Sequence, residues 1–495
     1  MSNSKFPRRI ALALMCALIL AAAMIPGLAE ETKAPKYVFM FIGDGMGSPQ
    51  INVTQYFAGT RLNPDSPVPV PAPLSFTGFQ NVGIMTTYDA TSFCPDSAST
   101  ATSMVSGQKT LSGVLNFNIE LTEQFPILTE YVKASGKKVG VISSVSLDHA
   151  TPAAYYSKSI SRSQYYDIAV QGLTGTTLDF LAGGRFLQPD GSDGEQINLF
   201  DIAKNNGFSI VETPDEIRAL NADSGRTLAM VNDPDNASAM QYEIDRVRKA
   251  AEGQDSVKLS EFVEAAIRVL DNDEGFFLMT EGGKVDWSAH ANDARTAIDD
   301  VLALSEAVQV AIDFAAEHPD DTLIIVTGDH ETGGLTIGFA ATAYDTHFAY
   351  LQNQNISFND FDGVITRLRD SGADFETALT EIEKAYGLTA EADQGLTLTE
   401  DELARLHTAF DLSMIPKADR VIAAAEELAY GGYEPLSMAV SHILNNKAGV
   451  AFTSYAHTGL QIPVYASGVG AQEFSGSYDN TDIFYKTMGI LGLDY

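Results

Sequence analysis

Cysteine is almost absent from this chain. Its 495 residues include two, Cys16 and Cys94. Cys16 lies in an N-terminal apolar run, so a processed chain would keep Cys94 alone and could form no internal disulfide. Stability must then come from packing and from any bound metal, and Cys94 itself reads as a small buried hydrophobe. Basic residues are also scarce. There are 31 Lys and Arg against 65 Asp and Glu, for a net charge of −34. That balance argues against nucleic acid and anionic membrane surfaces as partners. An anionic ligand would need a local positive focus, made of metal ions or arginine. Tryptophan occurs once, at Trp287. No internal repeat is found. Asp233-Pro234-Asp235-Asn236 lacks the glycine and the closing glutamate of a calcium loop, so it reads as a turn.

What is present begins with a targeting segment. Lys5, Arg8 and Arg9 precede an apolar run from Ile10 to Ile25, and Gly27-Leu28-Ala29 precedes Glu30-Glu31. A basic start, an apolar centre and a small-x-small end read as a secretory signal peptide over residues 1–29. The run is short for a full bilayer span. The expectation is an exported protein, periplasmic or extracellular, with no stable membrane anchor after cleavage. Cleavage would remove three basic residues and no acidic one, leaving a still more acidic chain.

Four continuous apolar runs read as buried strands, and each is followed by polar residues of metal-ligand type. Tyr37 to Ile42 is followed by Gly43-Asp44-Gly45-Met46-Gly47, and Lys137 to Ser143 by Asp148-His149-Ala150-Thr151. Gly275 to Thr280 is followed by Glu281-Gly282-Gly283, then Asp286 and His290; Thr322 to Thr327 is followed by Gly328-Asp329-His330. Asp286 and His290 share one face if that turn is helical. A long amphipathic helix follows, with Ala297, Val301, Leu304, Val308, Ala311 and Ala315 on its apolar side. Residues 59–75, rich in proline, read as a surface loop, and Val82 to Tyr88 as a short strand. Ligand-type residues gathered at strand ends are what one site at the carboxyl edge of an open α/β sheet requires.

Ser97 stands between Asp96 and a run of small residues able to open a helix. A hydroxyl there lies near backbone N–H groups and the positive helix end, which suits attack on an anionic centre. It also suits an ordinary N-cap. Arg162 has a planar guanidinium able to grip a phosphoryl group. Asp44, Glu281, Asp286, Asp329, His290, His330, His457, Thr151 and Ser97 are too many ligands for one tetrahedral zinc; they suit two N/O sites and one oxygen-rich, magnesium-like site.

These motifs resemble, in family order, the zinc-dependent alkaline phosphatases of bacteria and animals. The resemblance covers about residues 36 to 340 and 450 to 495. It rests on Gly43-Asp44-Gly45-Met46-Gly47, Pro95 to Thr102, His149 to Ala153, Arg162, Glu281 to His290, Thr327 to Gly334 and His457-Thr458-Gly459. It implies a phosphate-monoester hydrolase with a phosphoserine intermediate on Ser97 and phosphate held by Arg162. It implies a first zinc at Asp286, His290 and His457. A second zinc, facing Ser97, would sit at Asp44, Asp329 and His330, and magnesium at Asp44, Thr151 and Glu281. His149 and Trp287 stand where one branch of the family has aspartate and lysine; Asp96, next to Ser97 in the chain, is counted with them as a supporting residue. The resemblance places His149 where it could touch the third metal or its waters, and Trp287 removes a cation near the phosphate, so phosphate product should bind more weakly than in the lysine branch. The fold implied is a central, mostly parallel sheet flanked by helices. Residues 30–340 would form its first part and 451–495 its C-terminal part. Residues 341–450 read as an inserted helical subdomain, with helices near 361–386, 399–411, 415–430 and 434–446, placed where the family carries a crown-like insertion. A homodimer is the family's usual state, and some bacterial members with altered crowns are monomers.

The rivals are a sulfatase, a phosphodiesterase of the same superfamily, and a metal-binding scaffold with a dead site. Sulfatases need a cysteine or serine followed two residues later by proline or alanine and four later by arginine. Cys94 has Asp96 and Ala98 there, and Ser97 has Ser99 and Ala101. The phosphodiesterase usually has a threonine nucleophile and lacks the arginine clamp. His318, His347, His407 and His442 match no motif and read as surface or helix histidines.

Overall fold

The computed structural model describes residues 33–231, 237–391, 395–421 and 423–495. Residues 1–29, read above as a signal peptide, and Asp233 to Asn236, read as a turn, lie outside the described residues.

The strands are β1 (Tyr37–Gly43), β2 (Asn81–Thr86), β3 (Lys138–Ser143), β4 (Phe180–Gly183), β5 (Ser209–Val211), β6 (Thr227–Met230), β7 (Phe276–Gly282), β8 (Thr322–Gly328), β9 (Glu331–Thr332), β10 (Thr336–Ile337), β11 (Val450–Ala451), β12 (His457–Thr458), β13 (Ile462–Gly468) and β14 (Gly476–Asp479). Ten of them form one sheet in the order β14-β2-β13-β8-β1-β7-β3-β4-β6-β5. Every pairing in it is parallel except those of β13 with β2 and β8.

The central strands are apolar throughout because both faces are covered. In β1, Val38, Met40 and Ile42 join one core layer, while Tyr37, Phe39 and Phe41 join the other. Each such side chain contributes about 1.5–3 kcal/mol on burial. The helix Ser97–Ser106 packs Ala98, Ala101, Met104 and Val105 into the first layer. The expected long helix is Ala294–Glu317, and it packs Val301, Leu304, Ala307, Val308 and Ala311 into the second.

The stretch 341–450 is helical but divided differently from expectation. The segment near 361–386 is two helices, Phe358–Ser371 and Phe375–Tyr386, because Gly372 caps the first with φ +64°. Only Ala424–Tyr430 of the segment 415–430 is α-helical, after a 3-10 turn at Lys417–Asp419. Glu400–Ser413 and Pro435–Ala448 complete the set. Phe361, Ile365, Ile382, Leu406 and Ile443 share a core with Val53, Phe57 and Ile298 of the sheet-flanking helices. The proline-rich loop begins later than expected, since the helix Ser48–Leu62 runs through residues 59–62. Among the described residues no helix is long and apolar enough to cross a membrane.

Cys94 is exposed, against the expectation of burial. It lies in a surface turn, its N–H bonded to Ser92 Oγ, beside the outward-facing Phe93.

Asp362 gives a pH-dependent stability. Burial pushes its carboxyl up to about 7, against the bond donated by Ser437, and the charge of Glu434 adds to the rise. A carboxyl raised in the folded state costs nothing below its unfolded pKa; its penalty grows between the unfolded and the folded values and stays constant above the folded one. Asp362→Asn, which can still accept from Ser437, should therefore raise the melting temperature relative to wild type by a few degrees at pH 9. The gain should hold level from pH 9 down to about 7 and shrink from there toward pH 5. Melting curves across that range check it; a gain that does not depend on pH would contradict it.

Candidate active site

The three central strands end in one row. Gly43 pairs with Gly282 on one side and Gly328 on the other. Asp44 and Asp329 follow that row directly, and Glu281 lies one residue before it, opposite Ser143 of β3. The β1 turn needs glycine at Gly45. Its φ is +70°, and a Cβ would lie 2.8 Å from Thr332 Oγ1 and 2.9 Å from the Asp286 Cα.

Ser97 opens its helix, as the sequence suggests, with Asp96 as N-cap accepting from Ser99 N at 3.0 Å. Its hydroxyl is buried 3.2 Å from His330 Nε2 and 3.5 Å from Asp44 Oδ1. Asp96 has a second duty: its Oδ2 accepts from Arg162 Nη1 at 2.9 Å. Arg162 Nη2 lies 3.2 Å from His149 Nε2. The guanidinium is thus aimed by two residues of the sequence motifs. His149 packs edge-on against Trp287, with centroids 5.8 Å apart. Lys284, fully buried, holds its ammonium 4.6 Å from the centre of the Trp287 ring.

Three ligand clusters surround Ser97. Asp286 and His290 share a face of the helix Lys284–His290, with His290 Nε2 3.4 Å from Asp286 Oδ1. His457 Nε2 lies 3.0 Å from His290 Nε2 and 3.5 Å from Asp286 Oδ1. His330 stacks on His457 at 3.6 Å and also reaches the Asp286 group. The second cluster is Asp44, Asp329 and His330, all fully buried. The third joins Asp44, Glu281 and His149, with Thr151 at the start of the helix Ala150–Ala154. Every site residue picked from the sequence therefore falls in this one region at the carboxyl edge.

The imidazoles are oriented from behind. His290 Nδ1 meets the Tyr455 carbonyl at 2.6 Å, His457 Nδ1 the Pro95 carbonyl at 2.5 Å, and His330 Nδ1 the Thr332 hydroxyl at 3.3 Å. A carbonyl can only accept, so in the first two rings Nδ1 carries the proton and Nε2 presents a lone pair inward. This is the arrangement of metal-ligating histidines.

The electrostatics of the protein alone are unbalanced. Burial raises the Asp44 carboxyl well above its usual range, and the charges of Asp329, Asp286 and Glu281 add to it. Burial likewise raises Glu281 and Asp329 to about 7. Asp286 moves the other way: burial opposes ionisation, but the neighbouring histidines outweigh it. Asp44 Oδ2, Thr151 Oγ1 and Glu281 Oε1 are buried with no hydrogen-bond partner. Three orphaned oxygens from one cluster fit a hard cation with oxygen ligands. Two clusters of carboxylate and imidazole fit zinc.

Sequence reasoning passed over several supporting residues. Thr332 donates to Asp286 Oδ1 at 2.5 Å. Ser143 donates to Glu281. Glu331 accepts from Gln50 Nε2 at 2.7 Å, from Leu335 N at 3.1 Å and from Thr458, which staples β9 to β12 and so His330 to His457. Thr332 and Glu331 were in plain sight beside Asp329-His330; Gln50 and Ser143 carried no signal of their own.

Comparison with known proteins agrees with this geometry. The sequence model of the family described as alkaline phosphatase matches residues 35–493. Alkaline phosphatase 3 of Bacillus subtilis (strain 168) is 29% identical over 500 residues, covering 97% of this chain and 96% of its own. The structure of a cold-active alkaline phosphatase from a psychrophilic Shewanella is similar with a TM-score of 0.74 and 25% identity, over 92% of this chain and 99% of that one. A histidine-to-glutamate variant of TAB5 alkaline phosphatase, solved with magnesium in its M3 site, has the same fold at 24% identity and a TM-score of 0.61, over 94% and 100% of the two chains.

Proposed function

The chain belongs to the alkaline phosphatase family and is a phosphomonoester hydrolase, and we propose that it works through a phosphoserine formed on Ser97. In this reading Asp286, His290 and His457 would hold one zinc ion, Asp44, Asp329 and His330 a second, and Asp44, Thr151 and Glu281 a magnesium ion. The observation that carries it is the burial of the Ser97 hydroxyl between His330 and Asp44, with Arg162 aimed at the same place by Asp96.

Bound metal ions would supply Lewis-acid chemistry, favouring deprotonated oxygen nucleophiles and offsetting charge on the leaving oxygen. The chain's own residues do the rest. Arg162 grips two phosphoryl oxygens through its planar fork and holds phosphorus in line with Ser97. The helix start at Ser97 adds N–H donors for the charge that develops in transfer. The Ser97 Oγ–P bond forms as the ester P–O bond breaks, the hydroxyl proton passing to solvent and the leaving alcoholate taking one from solvent. Water then attacks phosphorus on the opposite side, the Oγ–P bond breaks, and inorganic phosphate leaves with Ser97 restored.

This reading separates from its rival by substrate. Purified protein should hydrolyse p-nitrophenyl phosphate much faster than bis(p-nitrophenyl) phosphate. The reverse preference would favour the phosphodiesterase, and no turnover of either a dead-site scaffold. Export with loss of residues 1–29 belongs to the same reading, and N-terminal sequencing of protein recovered outside the cytoplasm tests it.

Trp287 carries a smaller prediction. It stands against His149, which touches Arg162, so the ring occupies ground where a lysine would add a cation near the bound phosphate. Trp287→Lys should lower the inhibition constant for inorganic phosphate about tenfold, the worth of one added charge contact of about 1.4 kcal/mol. Unchanged phosphate inhibition would contradict it.

A further inference from the structure

The chain turns sharply after His290, and the turn residue is Asn292. Its φ is +48°, in the left-handed region that asparagine enters more readily than most residues. Its side-chain Nδ2 donates to the Ala289 carbonyl at 3.0 Å and to the Ser454 carbonyl at 2.8 Å. Those two carbonyls fix the orientation of the amide, so Oδ1 faces His442 Nε2 at 3.1 Å. An amide oxygen only accepts, so His442 donates from Nε2. The backbone carbonyl of Asn292 accepts from Asn445 Nδ2 at 2.7 Å. Burial, then the charge of Arg405, hold the His442 imidazole down at about 4. It is therefore a neutral donor wherever the enzyme works.

Three segments meet at this residue. One is the helix Lys284–His290, carrying Asp286 and His290. Another is the loop carrying His457, which contributes Ser454 and also the Tyr455 carbonyl that orients His290. The third is the helix Pro435–Ala448, which contributes His442 and Asn445 and packs the His442 ring 6.0 Å from that of Tyr455. The neighbouring Asp293 repeats the connection. It is fully buried and accepts from Gln354 Nε2 at 2.9 Å and from Phe358 N at 3.0 Å, both in the stretch 341–450.

We propose that the helical stretch 341–450 positions the Asp286–His290–His457 cluster, with His442 and Asn445 acting through Asn292. None of the three touches substrate; they are positioning residues. The proposal rests on the reading of that cluster as a zinc site, and it assigns the stretch a purpose other than covering the core. Without the His442 donor, Oδ1 of Asn292 is left buried and unpaired, and the amide loses its hold on the two ligand-bearing segments. The Asp44–Asp329–His330 cluster meets the first through the His330–His457 stack but is carried by the ends of β1 and β8, away from Asn292, so it should respond far less.

The test uses the mature full-length chain, stripped of metal and titrated with zinc against a chelating indicator. His442→Phe keeps a ring and removes the donor. Asn292→Gly tolerates the positive φ and removes all three side-chain bonds. His442→Gln restores a donor at similar reach. Wild type should take up two zinc ions. His442→Phe and Asn292→Gly should bind one of them normally and the other about 10–100-fold more weakly, the usual scale for loss of an outer-shell partner. Their kcat should recover at high zinc with KM little changed, and His442→Gln should bind as wild type. Two unchanged affinities in both variants, or both affinities weakened alike, would overturn the proposal while leaving the zinc reading intact. Wild type that takes up no zinc would remove that reading, and this proposal with it. Melting of the metal-free variants separates a general loss of folding, and if Asn292→Gly does not fold, His442→Phe decides alone.

Discussion

Ser97→Ala should abolish turnover while the fold and the carboxylate and imidazole clusters persist. The hydroxyl lies within 3.5 Å of both His330 and Asp44 and can form a covalent bond to phosphorus and release it again. Removing a nucleophile that acts as a unit with its surroundings costs on the order of 10⁴-fold or more in kcat. Alanine is tolerated locally because the helix is capped by Asp96 through Ser99 and not by Ser97. The checks are steady-state kinetics on p-nitrophenyl phosphate and acid quenching of a labelled turnover, which should trap phosphate on Ser97 in wild type and none in the variant. Activity within tenfold of wild type would remove Ser97 from the chemistry.

Asp44→Ala should be nearly as damaging, by a different route. Its Oδ1 lies 3.4 Å from His330 Nε2, while Oδ2 points, without a partner, into the cluster with Glu281 and Thr151. One side chain thus serves two clusters. If the proposed metal assignment holds, its loss should cost both the ion proposed at Asp329 and His330 and the one proposed at Glu281 and Thr151. Lewis-acid stabilisation is worth several kcal/mol, so kcat/KM should fall by at least about 10³-fold at about 1.4 kcal/mol per decade. Stability should change in opposite senses with and without metal. Loaded with zinc and magnesium, the variant should melt below wild type, because it forfeits binding energy linked to the folded state. Stripped of metal, it should melt above wild type, because one of four crowded buried carboxylates is gone. Calorimetry of both forms, with metal content measured on the same samples, checks this; a variant that keeps its full metal content would contradict it.

The parts of the fold legible in the sequence were those where one physical pressure dominates. β1, β3, β7 and β8 lie side by side at the centre of the sheet, in the order β8-β1-β7-β3. Covered on both faces, they read as unbroken apolar runs, and the residues that end them are the site. β4, β5 and β6 are three or four residues long and toward one edge, so their signal drowned among glycine turns. β13 was missed because its outer neighbour β2 is partly exposed and its own pattern is mixed. The Ala-, Leu- and Glu-rich composition of 341–450 marks it as helical but does not say where the helices break. Gly372 ends one at a left-handed turn that the neighbouring period hides.

The site divided along the same line. Ligands stood out because Asp and His beside glycine at a strand end are unusual there. The residues that aim them did not. Asn292, Ser143 and Gln50 act through backbone carbonyls or through partners far away in the chain, and no spacing rule connects Asn292 with His442 or Gln50 with Glu331. Cys94 misled for a related reason: its composition argues for burial, but it sits in the turn that brings Pro95 to His457.

The measurement that tests the account most directly is p-nitrophenyl phosphate hydrolysis at alkaline pH by the mature protein. It is made as isolated, after exhaustive chelation, and after return of zinc with and without magnesium, with metal content determined on each sample. The account predicts loss of activity on chelation, recovery with about two zinc ions per chain as counted from the two N/O clusters, and a further gain from magnesium. Full activity in protein shown to be metal-free would contradict it.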